Sequence, residues 1–404
     1  MATLLEARYR LSTPLFGGGA DPSVTAELRP ASFKGVLRFW WRALAWSRWQ
    51  GDLVRIQEQE ARLFGSTSRG QAAVRLRFAI PARLESLSAQ STLKEARGDS
   101  RVVGMGARYL GYGLMSAFPS RKSNTEAGQL TRPALQAPLE FIVQLRSTAL
   151  DSALQQSLIE ALIALGCLGG LGSRSRKGYG SLVLEAIDLD GSSYWQAPRS
   201  DEQLLETIRD LRDQASREGL PPYTAFSRDA RHLLLSAESC REPLQLLDLI
   251  GREMVRFRSW GKDGMVLQNV PSERNFKPDH DLMKQPVGAR RSHPQRIAFG
   301  LPHNYGKGSS NEVAPEGQLD RRASPLFIHI HSCGSRPVAV LSFLPARFLP
   351  AASSGGPAGI SVGGARVRQQ PEAELYRPIH NFLDRLLDEQ RCQEPFSKVE
   401  EVGR

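Results

Sequence analysis

The chain has 404 residues, 41% of them hydrophobic, enough for about two or three domains with their own cores. A formal charge of +11 and a pI near 9.8 point to an anionic partner, nucleic acid before a membrane surface. No apolar run approaches the ~20 residues of a membrane span, the N-terminal MATLLEARYRLSTPLF lacks the layout of a signal peptide, and the scattered Cys167, Cys240, Cys333 and Cys392 fit a reducing cytoplasm, with neither a disulfide framework nor a zinc site.

Residues 3–11 read as a strand, and the turn chemistry of residues 12–21 ends it. Ser32 is placed to cap a helix over about residues 33–49. Phe33, Val36, Leu37, Trp40 and Leu44 share one face of that helix and read as core. Lys34, Arg38, Trp41, Arg42 and Trp49 fall on an adjoining face. Cations interleaved with aromatics suit single-stranded nucleic acid, charge for phosphate and rings for bases; a solvated basic face over packed tryptophans explains the pattern equally well. Residues 54–64 read as a short helix and 73–80 as a strand. Residues 81–137 are irregular, with the Gly- and aromatic-rich VVGMGARYLGYGLMSAF and a polar tract near 120–130. Residues 139–146 read as a strand, and Asp151 caps a helix to about Leu165 with Leu154, Leu158, Leu162 and Leu165 on one face.

The stretch GCLGGLGSRSRKGYGSL, residues 166–182, follows. Glycine lets main-chain N–H groups approach a ligand closely and form concave anion sites. Gly172 and Ser173 would supply such groups, and Arg174, Arg176 and Lys177 would supply charge. A helix precedes the loop and a strand, about residues 179–187, follows it. That order excludes a P-loop and a dinucleotide-binding fingerprint, both of which run from strand to helix. The elements so far read β, α, β, β, α, β, the ferredoxin-like split βαβ arrangement.

Residues 190–224 hold a polar helix and a Gly-Leu-Pro-Pro break, and 196–224 read as a linker. A second unit then shows a strand at 232–238, a helix at 243–258, a long basic stretch at 259–323, strands at 326–331 and 338–343, a Gly/Ser-rich loop at 351–364 and an amphipathic helix at 374–389. The expected fold is α+β: two ferredoxin-like (RRM-like) domains with insertions, at 1–195 and 225–404.

A second basic cluster lies in the long stretch, with Arg290 and Arg291, then Arg321 and Arg322, alternating with aromatics; Trp260 and Lys262 add to it. No catalytic constellation is visible. His329 and His331 alternate on one strand face but lack partners at metal-ligand spacing. Neither metal nor other cofactor is expected.

These pieces together resemble a known family. Thr13-Pro-Leu-Phe-Gly-Gly-Gly-Ala-Asp21, Leu28-Arg-Pro30, the run Ser32 to Leu44 and Leu63-Phe-Gly-Ser66 are similar to the N-terminal half of the first RAMP subunit of type III-B CRISPR effector (Cmr) complexes. Gly169 to Gly180 resembles the glycine-rich loop of RAMP proteins, and Phe299-Gly-Leu-Pro302 and Arg321-Arg-Ala-Ser-Pro-Leu326 resemble later motifs of that subunit. The resemblance implies a cytoplasmic subunit in antiviral defence that assembles with other RAMP subunits on guide (CRISPR) RNA and target RNA, near the 3′ part of the guide, and binds without cutting. From the charge and ring pattern, Lys34, Arg38, Arg42, Arg174, Arg176 and Lys177 are expected to contact phosphates and Trp41 to stack a base. The loop and the Lys34–Arg38–Arg42 face are expected to meet. Two other readings stay open, a guide-processing endoribonuclease and a protein-only assembly subunit. No strand carries the aromatic signature of an RRM, so loop and helix would hold RNA in place of a sheet face.

Overall fold

A computed structural model describes residues 2–148, 150–214, 217–261, 263–317, 319–334, 336–350 and 359–402. Lys262 and the first part of the expected Gly/Ser-rich loop, 351–358, lie outside the described residues.

The first unit begins with β1 (Ala2–Leu11), α1 (Pro30–Arg48), α2 (Leu53–Phe64) and β2 (Val74–Ala79). The short α3 (Met105–Leu110) lies in the irregular stretch. Then come β3 (Leu139–Thr148), α4 (Ser152–Leu168), β4 (Leu182–Leu189) and β5 (Ser192–Gln196). These strands form one antiparallel sheet in the order β2-β3-β1-β4-β5. Helix α1 starts at Pro30, whose fixed φ suits a first turn, so Ser32 lies inside the helix and does not cap it. Asp151 does cap α4, accepting from the Leu154 N–H at 2.8 Å.

Helix α5 (Asp201–Asp213) falls within the stretch expected to be a linker. Its Leu204, Leu205, Ile208 and Leu211 are buried in the same core as α4, so this stretch is packed structure. The polar-looking sequence of α5 conceals one apolar stripe, which is enough to dock it.

The second unit has β6 (Arg231–Ser236), α6 (Pro243–Arg258), α7 (Lys277–Lys284), β7 (His303–Asn304), β8 (Glu312–Pro315), β9 (Leu326–Cys333), β10 (Arg336–Phe343), β11 (Gly359–Val362), β12 (Ala365–Arg368), α8 (Arg377–Leu387) and β13 (Lys398–Glu401). Its main antiparallel sheet runs β9-β10-β6-β13, and the long insertion builds a smaller sheet, β7-β8-β11-β12. The expected final helix is broken at Tyr376, after a first turn at Glu372–Leu375, because Pro378 starts a new helix.

Two contacts lock the units together. Helix α4 is apolar all round and buried from Ser157 to Leu168, since the first sheet covers one side of it and β9 with β10 the other. Helix α3 crosses α6 at two glycines: a Cβ on Gly251 would lie 2.1 Å from the Gly106 carbonyl oxygen. The Asp248 carboxylate secures the crossing by accepting from the Gly106 and Ala107 N–H groups at 2.6 and 3.1 Å.

Candidate nucleic-acid interface

The glycine loop leaves α4 at Leu168 and folds back on itself. The Leu171 N–H donates to Gly180 O, Gly180 N–H to Pro14 O, Ser173 N–H to Phe16 O and Lys177 N–H to Arg174 O, at 2.8–3.0 Å. Thr13 Oγ1 donates to Gly178 O at 2.7 Å and accepts from Ser181 N–H at 3.0 Å. Ser181 Oγ in turn accepts from the Ile330 N–H of β9 at 3.1 Å. A single 3-10 turn, Ser175–Lys177, is framed by left-handed Arg174 (φ 63°) and Gly178 (φ 86°). The glycines therefore serve a tight knot. Gly180 has φ 65°, and a Cβ there would lie 2.1 Å from Leu171 O. The expected main-chain cradle is thus largely occupied by the protein's own carbonyls, including at Ser173; Gly172 is exposed beside it. Of the loop's charges, Arg174 is turned outward, while Arg176 and Lys177 lie deeper.

The three loop cations differ in setting. Arg174 is exposed, and its Nε donates to the Tyr112 carbonyl at 2.8 Å. Arg176 lies 4.4 Å from the Phe327 ring centre and 5.3 Å from that of Phe39, donating through Nη1 to Ser324 O at 2.6 Å. Burial, and after it the charge of Arg322, brings its pKa down to about 10, so it stays charged at neutral pH. Lys177 has a half-buried stem, but its Nζ is shut off from solvent and has no hydrogen-bond partner. Burial, then the charges of Arg258, Arg174 and Arg176, bring it down to about 7. Arg321 lies near enough to Arg174 to oppose its charge as well.

The second unit completes this strip. Arg258, the last residue of α6, stacks 4.5 Å over Phe299 beside Lys177. Arg321 and Arg322 come from the strand-entry segment before β9. Among the described residues, no carboxylate pairs with Arg174, Arg176, Lys177, Arg258, Arg321 or Arg322. Six cations gathered without an acid repel one another, and an anionic backbone relieves that repulsion.

The α1 face has a different setting. Arg38 donates to Glu60 Oε1 at 2.8 Å, and Arg42 lies 3.8 Å from the same carboxylate, on α2. Lys34 is half-buried. Trp41 is 1% exposed, packs on Trp49 and Phe64, and donates from its indole to Ser157 Oγ at 2.9 Å. The expectation that Trp41 stacks a base is therefore corrected: the ring is core, with no free face. The loop does meet α1, but through Phe39 and Trp40, about 100° and 200° around the helix from Arg38. The Lys34–Arg38–Arg42 face turns to α2 instead.

Arg290 also departs from expectation. It is 4% exposed and donates to the carbonyls of Met283, Gln285, Ser310 and Val362, tying α7 to the small sheet. Arg291 is exposed, with Nη1 donating to Gly288 O at 2.7 Å. Sequence reasoning missed Arg258 and Tyr112. Only the aromatic richness of VVGMGARYLGYGLMSAF hinted at the second.

His329 and His331 do come together, Nε2 to Nδ1 at 3.3 Å, and His329 Nδ1 meets Gly169 O at 2.8 Å. Both are sealed between α4 and β9, and burial holds His329 down at about 4 and His331 well below the usual range. Neither can exchange protons with a substrate at the surface. No group of three or more potential metal ligands occurs among the described residues.

Residues 8–183 match the family model of the RAMP superfamily. This stretch is similar to RAMP proteins. It holds all three loop cations and the whole α1 face. Across the wider chain, the CRISPR system Cmr subunit Cmr1-1 of Pyrococcus furiosus is 24% identical over 338 residues, 80% of this chain and 82% of that protein. Cmr1-2 of the same organism is 28% identical over 191 residues, 46% of this chain and 97% of its own length. The crystal structure of Cmr1 from Pyrococcus furiosus in its apo form superposes with a TM-score of 0.50 at 18% identity, covering 92% of this chain and 95% of that one, so the shared fold extends beyond residues 8–183. No described helix is long and apolar enough to cross a membrane.

Proposed function

We propose that this chain is the RNA-binding first RAMP subunit of a type III-B CRISPR (Cmr) ribonucleoprotein, acting in the cytoplasm. It holds the 3′ region of the guide RNA, target RNA, or both, beside other RAMP subunits, and does not cut. The observation that carries this reading is the strip of Arg174, Arg176, Lys177, Arg258, Arg321 and Arg322, none of which pairs with a carboxylate among the described residues, half of it within the stretch similar to RAMP proteins. Relatedness to Cmr subunits over four-fifths of the chain supports it. The sealed histidines favour binding over cleavage, since neither His329 nor His331 can reach a ligand on the strip.

The architecture fits two ferredoxin-like domains with insertions. In each unit the four strands of a split βαβ motif are ordered second, third, first, fourth across an antiparallel sheet. Boundaries at 1–195 and 225–404 follow those sheets, with α5 packed between them. RNA then binds along the seam, through loop and helix-end cations.

The test is a gel shift of purified chain on labelled single-stranded RNA, in a salt series, with the RNA recovered and checked for cleavage. Salt-dependent binding without cleavage is expected. Cleavage lost with one histidine would replace the reading by an endoribonuclease, and absent RNA affinity by an assembly subunit.

A further inference from the structure

At 70% exposure, Tyr112 is the most exposed large hydrophobic side chain among the described residues, and it stands against the glycine loop. Its backbone is held on both sides. The Tyr112 N–H donates to Tyr109 O at 3.2 Å, and its carbonyl accepts from Arg174 Nε at 2.8 Å. Gly111, just before it, is pressed so close to Met115 and Tyr179 that a Cβ would lie 2.9 and 3.0 Å from their side chains. Gly113, just after it, has its carbonyl bonded by Thr131 Oγ1 at 3.0 Å. A ring on a fixed backbone, facing solvent beside an exposed guanidinium, serves no core. Arg132 extends the charge along the same edge, with Nη1 3.4 Å from Ser173 Oγ.

We propose that Tyr112 stacks an unpaired base of bound RNA whose phosphate rests on Arg174. This inference rests on the RNA-binding reading above. A ring face offers dispersion and π contact to any base, while the neighbouring cation holds the backbone. In a duplex both faces of each internal base are already stacked, so the site selects a single-stranded segment or strand end. It thereby takes over the role that the buried Trp41 cannot fill.

The experiment uses the full chain and a fluorescent single-stranded RNA, the same RNA with abasic nucleotides, and a blunt RNA duplex. Proteins are wild type, Tyr112→Ala, Tyr112→Phe and Arg174→Ala. Tyr112→Ala should weaken single-strand binding on the order of ten-fold with an unchanged salt slope, and Tyr112→Phe should restore it. Abasic RNA should bind wild type as weakly as it binds Tyr112→Ala, and duplex RNA should be indifferent to the substitution. Arg174→Ala should lower the salt slope by about one. Equal affinity of Tyr112→Ala and wild type, with Arg174→Ala impaired, overturns the stacking role and leaves RNA binding standing. Equal losses on abasic and intact RNA also overturn it. Lost co-assembly with other RAMP subunits at unchanged RNA affinity assigns the ring to a protein contact. Absence of wild-type RNA binding removes both proposals.

Discussion

The α1 face and the glycine loop look alike in one dimension, each a cluster of cations among residues suited to nucleic acid. In three dimensions they are opposites. On α1, Arg38 and Arg42 share a buried carboxylate, Glu60, and the aromatic ring between them is core. At the loop each cation has other cations for neighbours, drawn from the second unit, and an exposed tyrosine beside it. A basic cluster is informative about ligands only when its counter-charge is known. Here the deciding residues, Glu60 on one side and Arg258 and Arg321 on the other, lie far along the chain from the clusters they qualify.

The contrast can be tested first in the backbone. Gly180→Ala puts a methyl 2.1 Å from Leu171 O at positive φ, whereas a methyl at Gly35 on α1 would meet nothing within 4 Å. Gly180→Ala should cost about 3 kcal/mol or more, and Gly35→Ala should stabilise by about 0.5 kcal/mol. Thermal or urea unfolding distinguishes them, and equal effects would deny that the loop is a structural knot.

The next effect is acid sensitivity at the loop's root. His329 is held at about 4 by burial, below the ordinary histidine value of 6.5, so the unfolded chain binds the proton first. Its contribution is complete above pH 6.5 and is lost as pH falls through 4, about 3 kcal/mol in all. Urea midpoints between pH 7 and 4 measure this, and His329→Gln should reduce the dependence without abolishing it, since burial also holds down His232, His303 and His331.

Lys177 should make RNA affinity pH-dependent. Its amine sits near pH 7 when free, and a bound phosphate favours the charged form, so binding takes up a proton. Affinity should rise up to about ten-fold as pH falls from 8 to 6, and Lys177→Gln should remove the trend. A pH-independent wild type would mean that the ligand does not reach Nζ. The smallest effect is expected from Trp41→Phe, which removes the indole donor to Ser157 Oγ while that hydroxyl keeps its bond to the Leu154 carbonyl, and should cost about 1 kcal/mol of stability with RNA affinity unchanged. A loss of RNA affinity there would return the α1 face to the site.

Periodicity and capping made much of the fold legible in the sequence. Helix α6 spans the residues its pattern marks, Pro243–Arg258, and the mixed α and β elements read from the pattern assemble on antiparallel sheets. The packed α5 was not legible, because a four-residue apolar stripe in a charged helix looks like a linker until a neighbour covers it. Trp41 was misread because a helix face holds a ring and its cations at the same spacing whether solvent or another helix lies above. The loop cations were legible as a cluster, but their completion by Arg258 depends on α6 docking against α3 through Gly106 and Gly251.

The central claim is that RNA meets the loop strip and not the α1 face. Its most direct measurement is the salt dependence of RNA affinity for two triple variants of the full chain, Arg174→Ala/Arg176→Ala/Lys177→Ala and Lys34→Ala/Arg38→Ala/Arg42→Ala. The loop variant should lose about 100-fold at ~0.1 M salt and two to three units of slope, roughly one per lost phosphate contact, while the helix variant stays within about three-fold of wild type. A folded loop variant with wild-type affinity, or a helix variant with the larger loss, would contradict the account.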